Sequence, residues 1–459
     1  MSFTESLGDI IARDRSGMLA AADHWERVRL GDIASVVNGF PFPSNNFTPD
    51  RGVPLLRIRD VRSDRTEAFF DGDVEEAYLV RAGELVVGMD GDFHAALWRG
   101  PRAALNQRVC KIVPDETLYS VKLLAYILPG YLNAINQATS SITVKHLSSR
   151  TVGDIPLPIP PRKEQDRLVA AIEEHLSRLD AAVAGLKRVL LQLSRYRAAV
   201  LKAAVEGGLA PTGTGRSEED GLPTGWRWET VVTLAERVDY GTSAKTAEAG
   251  DIPVLRMGNI REGTLVLESL RYLPANHREF PDLLLQAGDV LFNRTNSAEL
   301  VGKSAVYRGH PYPCSFASYL IRVRLRPDCL PEFFAAVLNS VYGRRWIGEV
   351  VSQQVGQANV SGGKLKNFRI PLPPQNVQRL IIAEMERCFS LAVAVEGQVA
   401  SGLMRAQRLR RSVLRRAFEG KLAPHDPDDE PASVLVERIQ TGRAAAPIKP
   451  RRPRRVGAR

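Results

Sequence analysis

Cysteine is scarce in this chain of 459 residues, and the four that are present stand far apart, at Cys110, Cys314, Cys329 and Cys388. None belongs to a CxxC pair, and the seven histidines are scattered along the chain. The sequence therefore predicts neither a disulfide framework nor a metal site. Unpaired cysteines suit a reducing compartment, so we expect a cytoplasmic protein.

Long apolar runs are missing as well. No run approaches the ~18 residues that a membrane-spanning helix needs, and residues 1–23 are polar and mixed in charge, unlike a signal peptide. The hydrophobic content of 44% and the charged content of 25% are typical of a soluble globular protein. The length suggests about three domains.

Catalytic motifs are also absent from the sequence. A DNA-adenine methyltransferase needs an Asn/Asp-Pro-Pro-aromatic motif and a glycine-rich cofactor turn, but the single Asp-Pro pair, Asp426-Pro427, leads into further acids. There is no Walker loop, and no PD…(D/E)xK arrangement of a nuclease stands out. We therefore expect this chain to catalyse nothing by itself.

Positive charge is in excess, with a formal net charge of +10 and a pI near 9.5. Much of it lies in the last nineteen residues, which hold seven Lys or Arg and no acid, and in an arginine-rich run between Arg405 and Arg416. Such an excess favours a polyanionic partner such as nucleic acid. A basic tail can equally be an ordinary solvated segment, so charge alone decides nothing.

The most informative feature is a long internal repeat. VLKAAVEGGLAP from Val200 aligns with VLRRAFEGKLAP from Val413, with eight of twelve positions identical. The same offset places PIPPRKEQ, which begins at Pro158, over PLPPQNVQ, which begins at Pro371. Two copies are too few for a solenoid, so the sequence indicates a duplicated protein.

Each copy carries a long helical segment after its proline-rich motif. Apolar residues recur four and three apart, which is the seam of a left-handed coiled coil. We predict that the two helices pair with each other in antiparallel orientation through these residues: Val169, Ile172, Leu176, Leu179, Val183, Leu186, Leu190 and Leu193 in the first, and Ile382, Met385, Phe389, Ala392, Val399, Leu403, Ala406 and Val413 in the second. Arg197 and Arg410 occupy matching late positions of the two seams, and Glu396 falls where Val183 was.

Mixed strand and loop patterns fill the remainder of each copy. Val53 to Val61 alternates as a strand, and Ile252 to Ile260 matches it closely. We predict an α+β fold with two pseudo-repeated domains separated by the two long antiparallel coiled-coil helices. The expected segments are an N-terminal arm (1–24), a first α+β domain (25–161), a first long helix (162–208), a linker (209–225), a second α+β domain (226–373), a second long helix (374–420) and a C-terminal segment with the basic tail (421–459).

These motifs resemble, over nearly the whole chain, those of the DNA-specificity subunits of type I restriction–modification systems. The resemblance is carried by IPLPIPPRKEQ (155–165) and RIPLPPQNVQ (369–378), by the long helix and EGxLAP closure after each, and by the ending from Asp426 to Ile439. The second motif departs from the pattern, since Val377 stands where the first has Glu164. The resemblance implies that the two α+β domains (25–161 and 226–373) are target-recognition domains, which together bind a bipartite, asymmetric duplex DNA sequence. It also implies docking of two modification (methyltransferase) subunits and of restriction (ATP-dependent translocase–nuclease) subunits; S-adenosylmethionine, ATP and Mg would be used by those partners and not bound by this chain.

Candidate DNA contacts lie in the loops that differ between the copies. Arg and Lys suit guanine edges and phosphates, whereas Asn and Gln suit adenine edges. The candidates are Arg57, Arg59, Lys145, His146, Lys245, Arg256, Arg294, Lys303, Gln353, Gln357 and Asn359. Each taken alone could be an ordinary solvated side chain. Two other functions stay open at this point: a coiled-coil scaffold that binds a protein partner without DNA specificity, and a self-sufficient methyltransferase or nuclease.

Overall fold

The computed structural model describes residues 6–138, 145–210, 217, 221–354 and 357–445. The chain divides into two compact units. The first contains residues up to Ala184 together with those from Leu403 onward, and the second runs from Gly185 to Gly402. The first unit therefore includes the N-terminal arm and the C-terminal segment, and each long helix contributes one part to each unit.

The first copy of the repeat is built from short strands and ends in a helix of 45 residues. Its elements are α1 (Leu7–Ala12), β1 (Glu26–Arg29), α2 (Leu30–Ile33), β2 (Ala34–Asn38), β3 (Phe47–Thr48), β4 (Val53–Leu56), β5 (Phe69–Phe70), β6 (Leu79–Val80), β7 (Leu85–Gly88), β8 (His94–Leu97), β9 (Ala103–Leu105), β10 (Val109–Pro114), α3 (Val121–Ala138), α4 (Ser149–Gly153), β11 (Pro156–Ile159) and α5 (Arg162–Glu206).

The second copy follows the same plan and is continued by a C-terminal helix. Its elements are β12 (Arg227–Thr230), α6 (Val231–Leu234), β13 (Ala235–Tyr240), β14 (Ile252–Leu255), β15 (Ile260–Arg261), β16 (Thr264–Leu265), β17 (Arg271–Leu273), β18 (Val290–Asn293), β19 (Thr295–Asn296), β20 (Ser304–Val306), β21 (Ser315–Phe316), β22 (Leu320–Leu325), α7 (Pro331–Asn339), α8 (Val341–Val350), β23 (Ser352–Gln354), β24 (Gln357–Asn359), α9 (Gly362–Lys366), β25 (Arg369–Leu372), α10 (Gln375–Phe418) and α11 (Ala432–Ala445).

Sheet topology is duplicated between the units. The first has an antiparallel sheet of order β2-β10-β7-β8, and the second has β13-β22-β18-β20. A second sheet in each contains one parallel pair, β4 with β9 in the first and β14 with β21 in the second. A two-stranded ribbon, β1-β11 or β12-β25, leads into the long helix. The mixed α+β fold and the duplication predicted from the sequence are confirmed.

One strand in each copy is shorter than its alternation predicts. β4 stops at Leu56 because the Asp60 carboxylate accepts a hydrogen bond from the Arg57 N–H at 3.0 Å and closes a 3₁₀ turn. Asn259 closes the matching turn by accepting from the Arg256 N–H at 2.9 Å. A short polar side chain that bonds the backbone three residues earlier competes with strand pairing.

The long helices pair in antiparallel orientation inside each unit, as predicted. In the first unit Asp180 of α5 forms an ion pair with Arg410 of α10. In the second unit Arg197 of α5 lies 2.9 Å from the Glu396 carboxylate of α10. The arginine that interrupts each seam is thus matched by an acid on the facing helix.

Burial along the seams is uneven. Val169, Ile172 and Leu176 are buried in the first unit, and Met385, Ala392 and Val399 are buried in the second. Leu190 is 38% exposed, while Val189 is half-buried in its place. The buried stripe therefore passes to the preceding residue at this point, which the average spacing of three and four residues does not show. The other seam positions are half-buried, apart from the buried Ala406: Leu179, Val183, Leu186, Leu193, Ile382, Phe389, Leu403 and Val413.

The proline-rich motif is locked to the domain by one buried glutamine in each copy. The Gln165 Oε1 accepts from the Ser120 N–H at 2.8 Å, and its Nε2 donates to the carbonyls of Leu118 and Pro160 at 2.9 Å. Gln378 makes the same three bonds, accepting from the Leu330 N–H at 2.8 Å and donating to Asp328 and Pro373 at 2.9 Å. Both glutamines are fully buried. The glutamine therefore fixes the start of the long helix against the segment that leads into α3 in the first copy and into α7 in the second.

Among the described residues, no helix is long and apolar enough to cross a membrane.

Candidate nucleic-acid interface

Each unit joins the end of its central strand to the segment just before a short helix. In the first unit Asp90, after β7, forms a β-bridge with His146, and the Leu147 N–H donates to the Met89 carbonyl at 2.7 Å. In the second unit Thr295, after β18, pairs with Asn359. These two cross-links occupy equivalent places in the duplicated topology, so we name them the first and second strand-exit sites.

The first strand-exit site is a charged cluster around a carboxylate. Asp90 receives His146 Nδ1 at 2.5 Å and Arg108 Nη1 at 2.6 Å. Lys145 Nζ donates to the Asn136 carbonyl at 2.9 Å, and the Asn136 amide donates to the Asp92 carboxylate at 3.2 Å. The histidine and lysine predicted from the sequence are therefore held by a polar network at the strand exit.

A shallow cleft opens beside this cluster and is lined by Ile58, Arg59, Arg62, Asp90, Asp92 and His94. Burial lowers the pKa of His94, and the nearby Arg62 guanidinium lowers it further. His94 therefore stays neutral to a lower pH than an ordinary histidine and can offer one donor and one acceptor. Guanidinium donors suit guanine edges and phosphates, and carboxylate acceptors suit the amino group of cytosine, so this cleft offers both kinds of contact to base edges.

The second strand-exit site has a different chemistry. The Arg294 guanidinium lies 4.6 Å over the Tyr240 ring and donates from Nη2 to the Asn359 Oδ1 at 3.4 Å. The Tyr240 hydroxyl accepts from the Gly362 N–H at 2.7 Å. This arrangement leaves the Asn359 amide group as a hydrogen-bond donor on a stacked aromatic–arginine platform. An amide paired with a guanidinium suits purine edges.

Other predicted contact residues lie elsewhere. Arg57 is 3.6 Å from Asp60, and Arg256 donates to the Ser269 carbonyl at 2.9 Å, so both guanidinium groups hold their own turns together. Lys245 is exposed in the loop between β13 and β14, and Lys303 is half-buried just before β20. Gln353 lies in β23 and Gln357 in β24, while their side chains lie outside the described residues.

Sequence reasoning missed several members of the two sites: Asp90, Arg108, Arg62 and His94 in the first, and Tyr240 and Thr295 in the second. Asp90 and Thr295 follow equivalent buried strands, a signal that aligning the copies could have supplied. His94 of β8 and Arg62 carry no such signal, because only the tertiary fold brings them to the strand exit.

Comparison with known proteins identifies the duplicated fold. The model of the type I restriction modification DNA specificity domain matches residues 22–192 and again residues 231–401. The chain belongs to this DNA-specificity family. The two matched segments place one family domain on each copy of the repeat, as the sequence resemblance implied.

Relatives of this DNA-specificity family match along the chain's length. The specificity subunit of the type I restriction enzyme EcoBI of Escherichia coli is 33% identical, over 97% of this chain and 98% of its own length. The EcoKI specificity subunit of Escherichia coli K12 is 26% identical over 92% and 96% of the two chains. A solved chain from a type I R-M system shares the fold with a TM-score of 0.65 and 18% identity, over 87% of this chain and 99% of its own.

Proposed function

We propose that this chain is the specificity subunit of a type I restriction–modification complex. Its two units would each recognise one half of a bipartite, asymmetric duplex DNA sequence. The observation that carries the proposal is that the same strand-exit position holds a histidine–aspartate pair in one unit and an arginine–asparagine pair in the other. One scaffold with two different sets of base-contacting groups is what recognition of two different half-sites requires.

The proposed partners supply the chemistry. Two modification subunits would bind S-adenosylmethionine and methylate the site, and restriction subunits would use ATP and Mg. The relatives are named as specificity subunits of type I restriction enzymes, which supports an assembly of this kind. Two alternatives are less well supported: a coiled-coil scaffold without DNA specificity, and a self-sufficient methyltransferase or nuclease. Neither accounts for the match of both copies to a DNA-specificity domain.

The first prediction separates DNA recognition by this chain from catalysis by its proposed partners. The purified chain is expected to bind duplex DNA with strong salt dependence, because phosphate contacts release counterions, and to show no methylation or cleavage. Adding modification subunits should produce methylation at one bipartite sequence. The measurement is transfer of a labelled methyl group, with methylated positions mapped by sequencing. Methyl transfer by the chain alone, or methylation without sequence preference in the assembly, would sink the proposal.

The second prediction tests the independence of the two sites. Asn359→Ala removes an amide from the second strand-exit site and should relax one position of the second half-site by about 1–3 kcal/mol. His146→Ala should act on the first half-site alone. Competition binding of the assembled methyltransferase against every single-base-pair variant of the target measures both. Asn276→Ala, an exposed asparagine of the second unit, is the matched control. Loss of specificity in both half-sites from either substitution would contradict the assignment.

A further inference from the structure

A histidine–glutamate–histidine cluster lies in the first unit, away from the strand-exit site. It brings together His24 from the arm, Glu164 from the first turn of α5 and His425 from the segment after α10. His24 Nε2 lies 3.3 Å from both Glu164 oxygens, and His425 Nδ1 lies 3.6 Å from Oε2. The two imidazole centroids are 4.3 Å apart. Three segments distant in sequence therefore converge on one carboxylate.

The carboxylate at the centre is fully buried, while the two histidine side chains are 38% and 48% exposed. A buried carboxylate is costly unless it is paired and well hydrogen-bonded. In the part of the chain that the structure describes, its hydrogen bonds and ion pairs beyond its own helix go to the two imidazoles. The nearby Arg167 is engaged by Asp429 at 2.5 Å.

The distances suit metal ligation better than direct hydrogen bonds. Charge-assisted bonds between nitrogen and carboxylate are typically about 2.7–2.9 Å, shorter than the 3.3 and 3.6 Å found here. Zinc binds histidine nitrogen and carboxylate oxygen at about 2.0–2.1 Å, so neighbouring ligand atoms of a tetrahedral site stand about 3.3–3.4 Å apart. The ligand atoms all lie within 4.8 Å of one another. A rotation of the two rings that brings their ligand nitrogens to this tetrahedral separation would complete three corners of that tetrahedron.

We propose that His24, Glu164 and His425 bind one Zn²⁺, with water from the exposed side as the fourth ligand. The ion would neutralise the buried carboxylate and fasten the arm and the C-terminal segment to the start of α5. The second copy has Val377 at the position of Glu164 and Gly225 before the tryptophan that corresponds to Trp25. The site would therefore belong to the first unit and not to the duplicated scaffold.

A competition titration of the untagged full chain with Zn²⁺ and a chromophoric chelator tests the proposal. We expect one ion per chain, and we expect His24→Gln with His425→Gln to weaken binding by more than ~100-fold, since losing only the groups that orient ligands costs 10–100-fold. His175→Gln changes an exposed histidine of α5, the helix that carries Glu164. This variant should bind Zn²⁺ as tightly as the unmodified chain does. Absence of stoichiometric binding, or unchanged binding by the double variant, would overturn the site.

Two further measurements keep the test decisive if the double variant folds poorly. Co²⁺ in place of Zn²⁺ should give the intense visible bands of a four-coordinate ion in the unmodified chain; six-coordinate spectra would count against the site. Hydrogen exchange should slow on adding Zn²⁺ in the segments around His24 and His425, with no change in the second unit. Protection elsewhere but not in those segments would contradict the assigned ligands.

Discussion

Replacing Gln165 with alanine is expected to lower the stability of the first unit by about 3–5 kcal/mol. The substitution strands the Ser120 N–H and the carbonyls of Leu118 and Pro160, all three of which the buried amide now satisfies. Each unmatched buried polar group costs roughly 1–3 kcal/mol, and the lost side chain also leaves a cavity. Domains typically have a free energy of unfolding of only about 5–15 kcal/mol, so this single change would remove a large fraction of it.

Gln378→Ala should do the same to the second unit, because its amide makes the equivalent three bonds. Native-state hydrogen exchange distinguishes the two variants, since it measures opening segment by segment. Gln165→Ala should speed exchange in α3 and β11, and Gln378→Ala in α7 and β25. Gln192 and Gln407 are exposed on the same two helices, and their alanine variants should change stability by less than about 0.5 kcal/mol. Equal effects of buried and exposed substitutions would show that the hydrogen bonds contribute little.

Gln165→Glu provides a finer test of the same contact. A carboxylate can still accept from the Ser120 N–H, but it cannot donate to the two carbonyls that the Nε2 group now serves. We expect most of the alanine effect to persist in this variant at neutral pH, measured by the same hydrogen-exchange experiment. A glutamate variant as stable as the original chain would assign the effect to the single Ser120 bond.

The order of the domains and the two long helices could be predicted from the sequence, because the same motifs occur once in each copy of the repeat. The EGxLAP closure, the proline-rich start and the apolar spacing between them specify two helices of matching length. The spacing could not show where the buried stripe shifts from Leu190 to Val189, because that depends on how the two helices pack against each other and against their domain. Nor could it show that Glu396, which interrupts the seam, is the ion-pair partner of Arg197.

The sites were predictable in part, for the same reason. Asn359 and His146 stand in loops that differ between copies, and the structure places both at strand exits. Arg57 and Arg256 carry the charge expected of a DNA contact, yet their side chains stabilise local turns. Charge along a sequence does not reveal which acid or carbonyl a guanidinium will meet. The zinc ligands could not be inferred at all, because positions 24, 164 and 425 have no spacing signature.

The length of the helix pair should set the number of unrecognised base pairs between the half-sites. α5 and α10 each pass from one unit into the other, at Gly185 and at Gly402. Inserting four residues after Ala184 and four after Gly402 lengthens both helices by about 6 Å. It leaves intact the pairs inside each unit, Asp180 with Arg410 and Arg197 with Glu396. Because both helices receive four residues at the same level, neither has unpaired extra residues that would have to bulge out of the helix pair.

Rise and twist together decide how the spacer responds. Four residues rotate a helix by about 400°, which is about 40° beyond a full turn. One base pair of B-DNA adds about 34–36° of twist and 3.4 Å of rise. We therefore expect the spacer to grow by one, or at most two, base pairs while both half-sites keep their sequence. The strand-exit sites are untouched by the insertion, so we expect the proposed base contacts to stay the same.

Methylation mapping of cells that express the insertion variant with its modification subunits measures the spacer directly. Gly185→Ala is the control of unchanged length, since a Cβ at Gly185 meets no atom within 4 Å, and it should leave the spacer as it was. Four added residues also disturb the 3.5-residue repeat, so a modest loss of stability accompanies the change. An active variant with an unchanged spacer, or with altered half-site bases, would reject the helix pair as the determinant of spacing.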